Sequence, residues 1–183
     1  MATATTTARV LACPPVDGAR GWSAWISLAP KPKGNTKDVL FRGKRCSKCN
    51  KGEHPFTLAR KPERKFAETL SRLLAACGPG EPVSADVVVH ASFRLPIAKS
   101  WNKIKTAEAI ACLCRPTNNK AMKGKSPGPI ADLGGLEKML DDCLEAGGWV
   151  TNDTVIAQRR SEKIYAPEPG YVITMRELPT WRP

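Results

Sequence analysis

"ADLGGLEKMLDD", residues 131–142, is the stretch on which the fold turns. From Leu133 the apolar residues fall at 133, 136, 140, 143 and 144, a helical stripe that leaves Lys138, Asp142 and Glu145 on the opposite side. Asp132 stands just ahead of that stripe, where a short acidic side chain caps a helix. Gly134 and Gly135 then occupy the first turn, although glycine is among the poorest helix formers. Gly147 and Gly148 end the segment.

Outward from this helix the chain alternates between strand-like and helix-like patterns. "GWSAWISLAP" (21–30) reads as a strand closed by the turn "PKPKGN", and "KDVLFRG" (37–43) as a second, short one. Pro62 suits a first helical turn, and "ERKFAETLSRLLAAC" (63–77) places Phe66, Leu70, Leu73, Leu74 and Cys77 at helical spacing. "SADVVVHASFRLP" (84–96) is the clearest strand, with Val87, Val89, Ala91 and Phe93 on one face and Val88, His90 and Ser92 on the other. It is expected at the centre of a sheet, with His90 as a satisfied core histidine. "SWNKIKTAEAIACLC" (100–114) is helix-like and basic, and residues 115–130 read as a Gly/Pro/Lys/Asn loop. "DTVIAQRRSEKIY" and "PGYVITMREL" are expected to form an antiparallel hairpin across a Pro/Gly turn.

Strands and helices mix without regular βαβ alternation, so the fold class is α+β: one compact domain, a mixed or antiparallel sheet flanked by helices. Its 183 residues suffice for a core without staples. Residues 1–20 are expected to be a disordered tail and 21–183 the domain. No apolar run approaches the ~18 residues of a membrane span. The N-terminus lacks the pattern of a secretory signal. Seven cysteines, an odd number in no framework spacing, fit reduced thiols in a cytoplasm.

Charge narrows the function. The formal charge is +12, which favours a polyanionic partner, and it is unevenly placed. Residues 31–72 carry thirteen Lys or Arg against four acids, and residues 94–125 eight against one. Residues 131–153 invert this, with Asp132, Glu137, Asp141, Asp142, Glu145 and Asp153 facing only Lys138. An acidic island in a basic protein is what metal-dependent phosphodiester hydrolysis requires. Basic surface holds the phosphates and carboxylates hold the cation.

Three stretches resemble the RusA family of Holliday junction resolvases. "LPIAKSWNKIK" (95–105) is similar to the family's Pro-x-x-Lys-Ser-Trp segment, "ADLGGLEKMLDDCLEAGGWVTND" (131–153) to its aspartate-bearing helix, and "DTVIAQRRSEKIYAPEPGYVITM" to its closing hairpin. The resemblance implies a compact α+β homodimer, bacterial or phage-encoded and nucleoid-associated in the cytoplasm. Its implied activity is Mg²⁺-dependent cleavage of four-way DNA junctions in recombination and repair, with Mn²⁺ as a substitute. It matches Asp132 and Asp153 to catalytic, metal-binding aspartates and Lys138 to the functional lysine. Gly134 stands at the second motif aspartate and Gly135 at the asparagine after it, so one metal ligand is missing. Lys99, Trp101, Lys103 and Lys105, with Lys120, Lys123 and Lys125, are the expected DNA contacts.

Ordinary readings stand beside these. Singly, Asp132 is an N-cap, Lys138 an i,i+4 partner of Asp142, and Asp153 a turn residue. Trp101 stacks on an unpaired base or packs on the sheet, and packing is favoured. Cys46 and Cys49 in C-x₂-C form a zinc knuckle if a second pair, such as Cys112 and Cys114, or His54 completes the tetrahedron. Two rival functions follow: a branched-DNA-binding protein with weakened or absent cleavage, favoured by Gly134, and a zinc-stabilised nucleic-acid-binding module, resting on Cys46 and Cys49.

Overall fold

The computed structural model describes residues 6–13, 19–31, 41–42, 55–56, 61–113, 116 and 132–179. It is an α+β domain built on a five-stranded mixed sheet with three α-helices. In chain order the elements are β1 (Ala8–Leu11), β2 (Gly21–Ile26), β3 (Phe41–Arg42), β4 (Pro55–Phe56), α1 (Lys61–Ala75), β5 (Val87–Pro96), α2 (Lys103–Ile110), α3 (Leu133–Ala146), a single 3₁₀ turn (Asp153–Val155), β6 (Ile156–Ala166) and β7 (Gly170–Glu177). The sheet order is β1-β2-β7-β5-β6, and β3 pairs with β4 separately.

Strand β5 organises the sheet. Its alternation places Val87, Val89, Ala91, Phe93 and Leu95 in the core, as the period-2 pattern requires. It runs parallel to β6 on one side and antiparallel to β7 on the other. The expected β6–β7 hairpin is therefore not formed. The two strands do run in opposite directions, but β5 lies between them, and residues 167–169 cross over its end. The physical reason is burial. Inserted between them, β5 satisfies the backbone groups on both of its edges and puts its apolar face at the centre, which edge placement would not do.

The helices cover one face. Phe66, Leu70 and Leu74 of α1 and Leu136, Met139, Leu140, Cys143 and Leu144 of α3 join the buried face of β5, Tyr171, Ile173 and Met175 of β7, and Ala24 and Ile26 of β2 in one cluster. Phe93 and Tyr171, directly opposed across β5 and β7, meet edge-on with centroids 5.6 Å apart. Beyond α3, buried Trp149 donates its indole N–H to the Leu74 carbonyl at 2.8 Å, joining the ends of α3 and α1.

Two further expectations change. His90 is exposed rather than a core histidine, because strand alternation puts it with Val88 and Ser92 on the face that the helices leave uncovered. Ala8–Leu11, within the span expected as a tail, forms the edge strand β1 against β2. Among the described residues Cys13, Cys77, Cys112 and Cys143 are free thiols, with Cys77 and Cys143 buried.

Candidate active site

The start of α3 is built as its sequence suggests. Asp132 has extended backbone geometry, with φ −60° and ψ 134°, and its Oδ2 accepts from the Gly135 N–H at 3.3 Å. That is the N-cap bond, and the helix dipole adds to it by favouring a negative charge there. The residue is exposed. Gly134 sits in the first turn, and among the described residues a Cβ built there would meet only Asp132 Oδ2, at 3.5 Å. A side chain could therefore start beside Asp132 in ordinary van der Waals contact, and the sequence supplies none.

Lys138 is exposed four residues beyond Gly134, so the two share one side of the helix. Among the described residues Lys138 forms no ion pair, so the i,i+4 pairing with Asp142 is not made. Asp153 opens the 3₁₀ turn after α3, exposed, and Asn152 caps that turn by accepting from the Thr154 N–H at 2.8 Å. Along the chain, α3, about 21 Å long by its residue count, and the Gly147–Asn152 loop separate the two aspartates. No hydrogen bond or ion pair joins Asp132, Lys138 and Asp153 among the described residues, and no group of three or more His, Cys, Asp or Glu converges as a metal site. Asp141 offers no replacement ligand, because the Arg159 guanidinium of β6 holds its carboxylate.

Helix α2 rests on β6, the strand that α3 also touches. Asn102 caps it, accepting from the Lys105 N–H at 2.8 Å, and Lys99, Lys103 and Lys105 are all exposed around its start. Trp101 is half-buried, edge-on to Tyr165 of β6 with centroids 4.8 Å apart, and the Lys105 ammonium lies 4.3 Å from its ring centre. These contacts occupy the indole and make it the anchor of α2.

Sequence reasoning missed Arg159 and Tyr165. Both lie on the helix-facing side of β6, with Ser161 and Lys163 between them at period 2, and that alternation in "RRSEKIY" was the available signal. Lys120, Lys123, Lys125, Cys46, Cys49, His54 and Cys114 lie outside the described residues.

Such an arrangement offers exposed lysines around α2 and exposed carboxylates at the two ends of α3, groups able to hold a phosphodiester backbone and a cation. No curated protein matches the chain. The profile of the family described as Endodeoxyribonuclease RusA matches residues 42–176, a span that includes both aspartates, Lys138, the three α-helices, strands β4 to β6 and all but the last residue of β7. With most of its length matched, the chain belongs to the RusA endodeoxyribonuclease family.

Proposed function

We propose that this protein is a structure-selective endodeoxyribonuclease that resolves four-way DNA junctions in recombination and repair, acting as a homodimer in the cytoplasm. The observation that carries the reading is the family match across α2 and α3, where exposed lysines and exposed carboxylates share β6 as their floor. Lys99, Lys103 and Lys105 hold backbone phosphates as point charges, and Lys138 stabilises charge at the phosphate under attack.

With no cluster of metal-ligating side chains among the described residues, the donor set fits only a water-rich Mg²⁺ or Mn²⁺ site held by a single carboxylate of one chain, and not a closed one. Mg²⁺ is commonly bound by one or two carboxylates, with water and substrate phosphate filling its shell. The family resemblance assigns Asp132 and Asp153 to it; within one chain they stand at the two ends of α3, so each would meet an ion separately. When bound, the ion supplies an activated water and absorbs phosphate charge. Asp132 does double duty as cap and ligand, and Lys138 acts without the ion.

A second reading is favoured by Gly134: recognition of branched DNA with little or no cleavage. The experiment that separates the two is incubation of a labelled four-way junction and a linear duplex with Mg²⁺ or Mn²⁺, using the wild type, Asp132→Asn and Asp153→Asn. Paired nicks in the junction that both variants lose support the nuclease. Tight junction binding without nicks by the wild type supports the binder.

A further inference from the structure

The face of the sheet that the helices leave uncovered is not a neutral surface. Alternation and register assign its residues: Arg9 and Leu11 of β1, Ser23 and Trp25 of β2, Val172, Thr174 and Arg176 of β7, Val88, His90, Ser92 and Arg94 of β5, and Gln158, Arg160 and Glu162 of β6. Within the strands this face carries four arginines and one acid, Glu162. We propose that it is a second phosphate-binding surface, which holds the backbone of a DNA arm on the side of the sheet opposite the candidate active site. The inference rests on the junction-DNA reading above.

Three observations support it. Arg94 Nε and Arg176 Nη1 are buried from solvent and have no hydrogen-bond acceptor among the described residues. Neither nitrogen is paired within the described part of the sheet, so the positive charge of these half-buried guanidinium groups is left to partners above this face. The Arg94 guanidinium lies 5.2 Å from the centre of the Trp25 ring, which positions a planar donor for a ligand above the sheet. Between β5, β6 and β7 a cavity of about 290 Å³ opens on this face, with His90, Ser92, Arg160 and Thr174 among its lining. These are hydrogen-bond donors suited to phosphate oxygens, and Glu162, also in the lining, is the one acid there.

Charge selects the occupant. A second copy of the chain stacked on this face would set four arginines against four, with only Glu162 on each side to offset them. Duplex DNA presents one negative charge per about 1.7 Å of its axis, and the rows of this face repeat about every 6.8 Å along the strands, so several phosphates come within reach at once. A four-way junction has arms that diverge from the cleavage point, and a protein with basic surface on both sides of its sheet can hold more than one of them.

The test is junction affinity as a function of salt, by fluorescence anisotropy on the full chain, for wild type, the double variant Arg9→Gln/Arg160→Gln, Arg94→Gln and Glu162→Gln. Arg9 and Arg160 are exposed, so the double variant folds normally, and its thermal midpoint checks this. The expected result is a salt slope lowered by about two and an affinity reduced about tenfold at ~0.1 M salt in the double variant. Arg94→Gln weakens binding too. Glu162→Gln tightens it severalfold, a gain that misfolding does not mimic. Unchanged affinity and slope in the arginine variants, with the wild type binding, overturns the inference. So does a change of oligomeric state in the double variant by sedimentation, which makes the face a contact between copies. Loss of cleavage alone, with this binding pattern intact, overturns the nuclease reading only. A wild type with no salt-dependent binding overturns both.

Discussion

Arg159 of β6 donates a hydrogen bond from its Nη2 to the Asp141 carboxylate of α3, tying the middle of the helix to the outermost strand. Both side chains are mostly covered, at 17% and 23% exposure. Burial pulls the guanidinium below its usual pKa, and the Glu137 carboxylate opposes that. The bond holds α3 in place on the strand that also carries α2.

Removing one partner strands the other. Asp141→Ala is expected to cost about 2 kcal/mol, less than a fully buried pair because solvent reaches both groups. Urea unfolding measures it. The double variant Asp141→Leu/Arg159→Met restores most of the loss, since an apolar pair of similar volume needs no charge compensation.

Asp132 has two roles that chemistry can separate. Asp132→Asn keeps a side-chain oxygen to accept from the Gly135 N–H and leaves stability within a few tenths of a kcal/mol. Asp132→Ala loses the cap and about 1 kcal/mol. Both abolish metal-dependent cleavage. Equal cleavage by Asp132→Asn and wild type in Mg²⁺ would remove Asp132 from the metal site.

Gly134→Asp restores the missing carboxylate. Its Cβ makes only ordinary contact with Asp132 Oδ2 at 3.5 Å, and an acidic residue in the first turn suits the helix dipole. Replacing glycine in a helix further lowers the backbone entropy cost. Cleavage is expected to rise about tenfold or more at limiting Mg²⁺, with half-saturation at a lower ion concentration. A variant that folds like wild type and shows no change in Mg²⁺ dependence contradicts the assignment of that position.

Stability should fall at alkaline pH. Burial pushes the Cys77 thiol and the Tyr171 phenol above their ordinary pKa values, so the folded chain keeps both neutral where the unfolded chain ionises them. The unfolded state then binds fewer protons, and the slope of unfolding free energy with pH is negative. The decline begins near pH ~8.5 for the thiol and ~10 for the phenol. Thermal midpoints from pH 7 to 11 read it, and Cys77→Ala removes the first part of the decline.

Much of this was legible locally. The stripe at Leu136, Leu140, Cys143 and Leu144 fixed α3 and its buried side, and Asp132 announced its cap, because both depend on neighbours within one or two turns. The alternation of β5 fixed its core face for the same reason. The lysines around α2 and the carboxylate beside Gly134 needed no tertiary information to be singled out.

Contacts between distant parts of the chain were decided elsewhere. A short turn between "RRSEKIYA" and "GYVITMRE" favours a hairpin, and only the demand to bury β5 between two partners separates those strands. The same placement turned His90 outward, engaged Trp101 with Tyr165, and gave Asp141 to Arg159 instead of a metal. The sequence by itself determined the elements, their apolar faces and the residues able to do chemistry. Tertiary structure alone decided which of those residues meet, because pairing of distant strands depends on burial and hydrogen-bond satisfaction over the whole sheet, which no local pattern records.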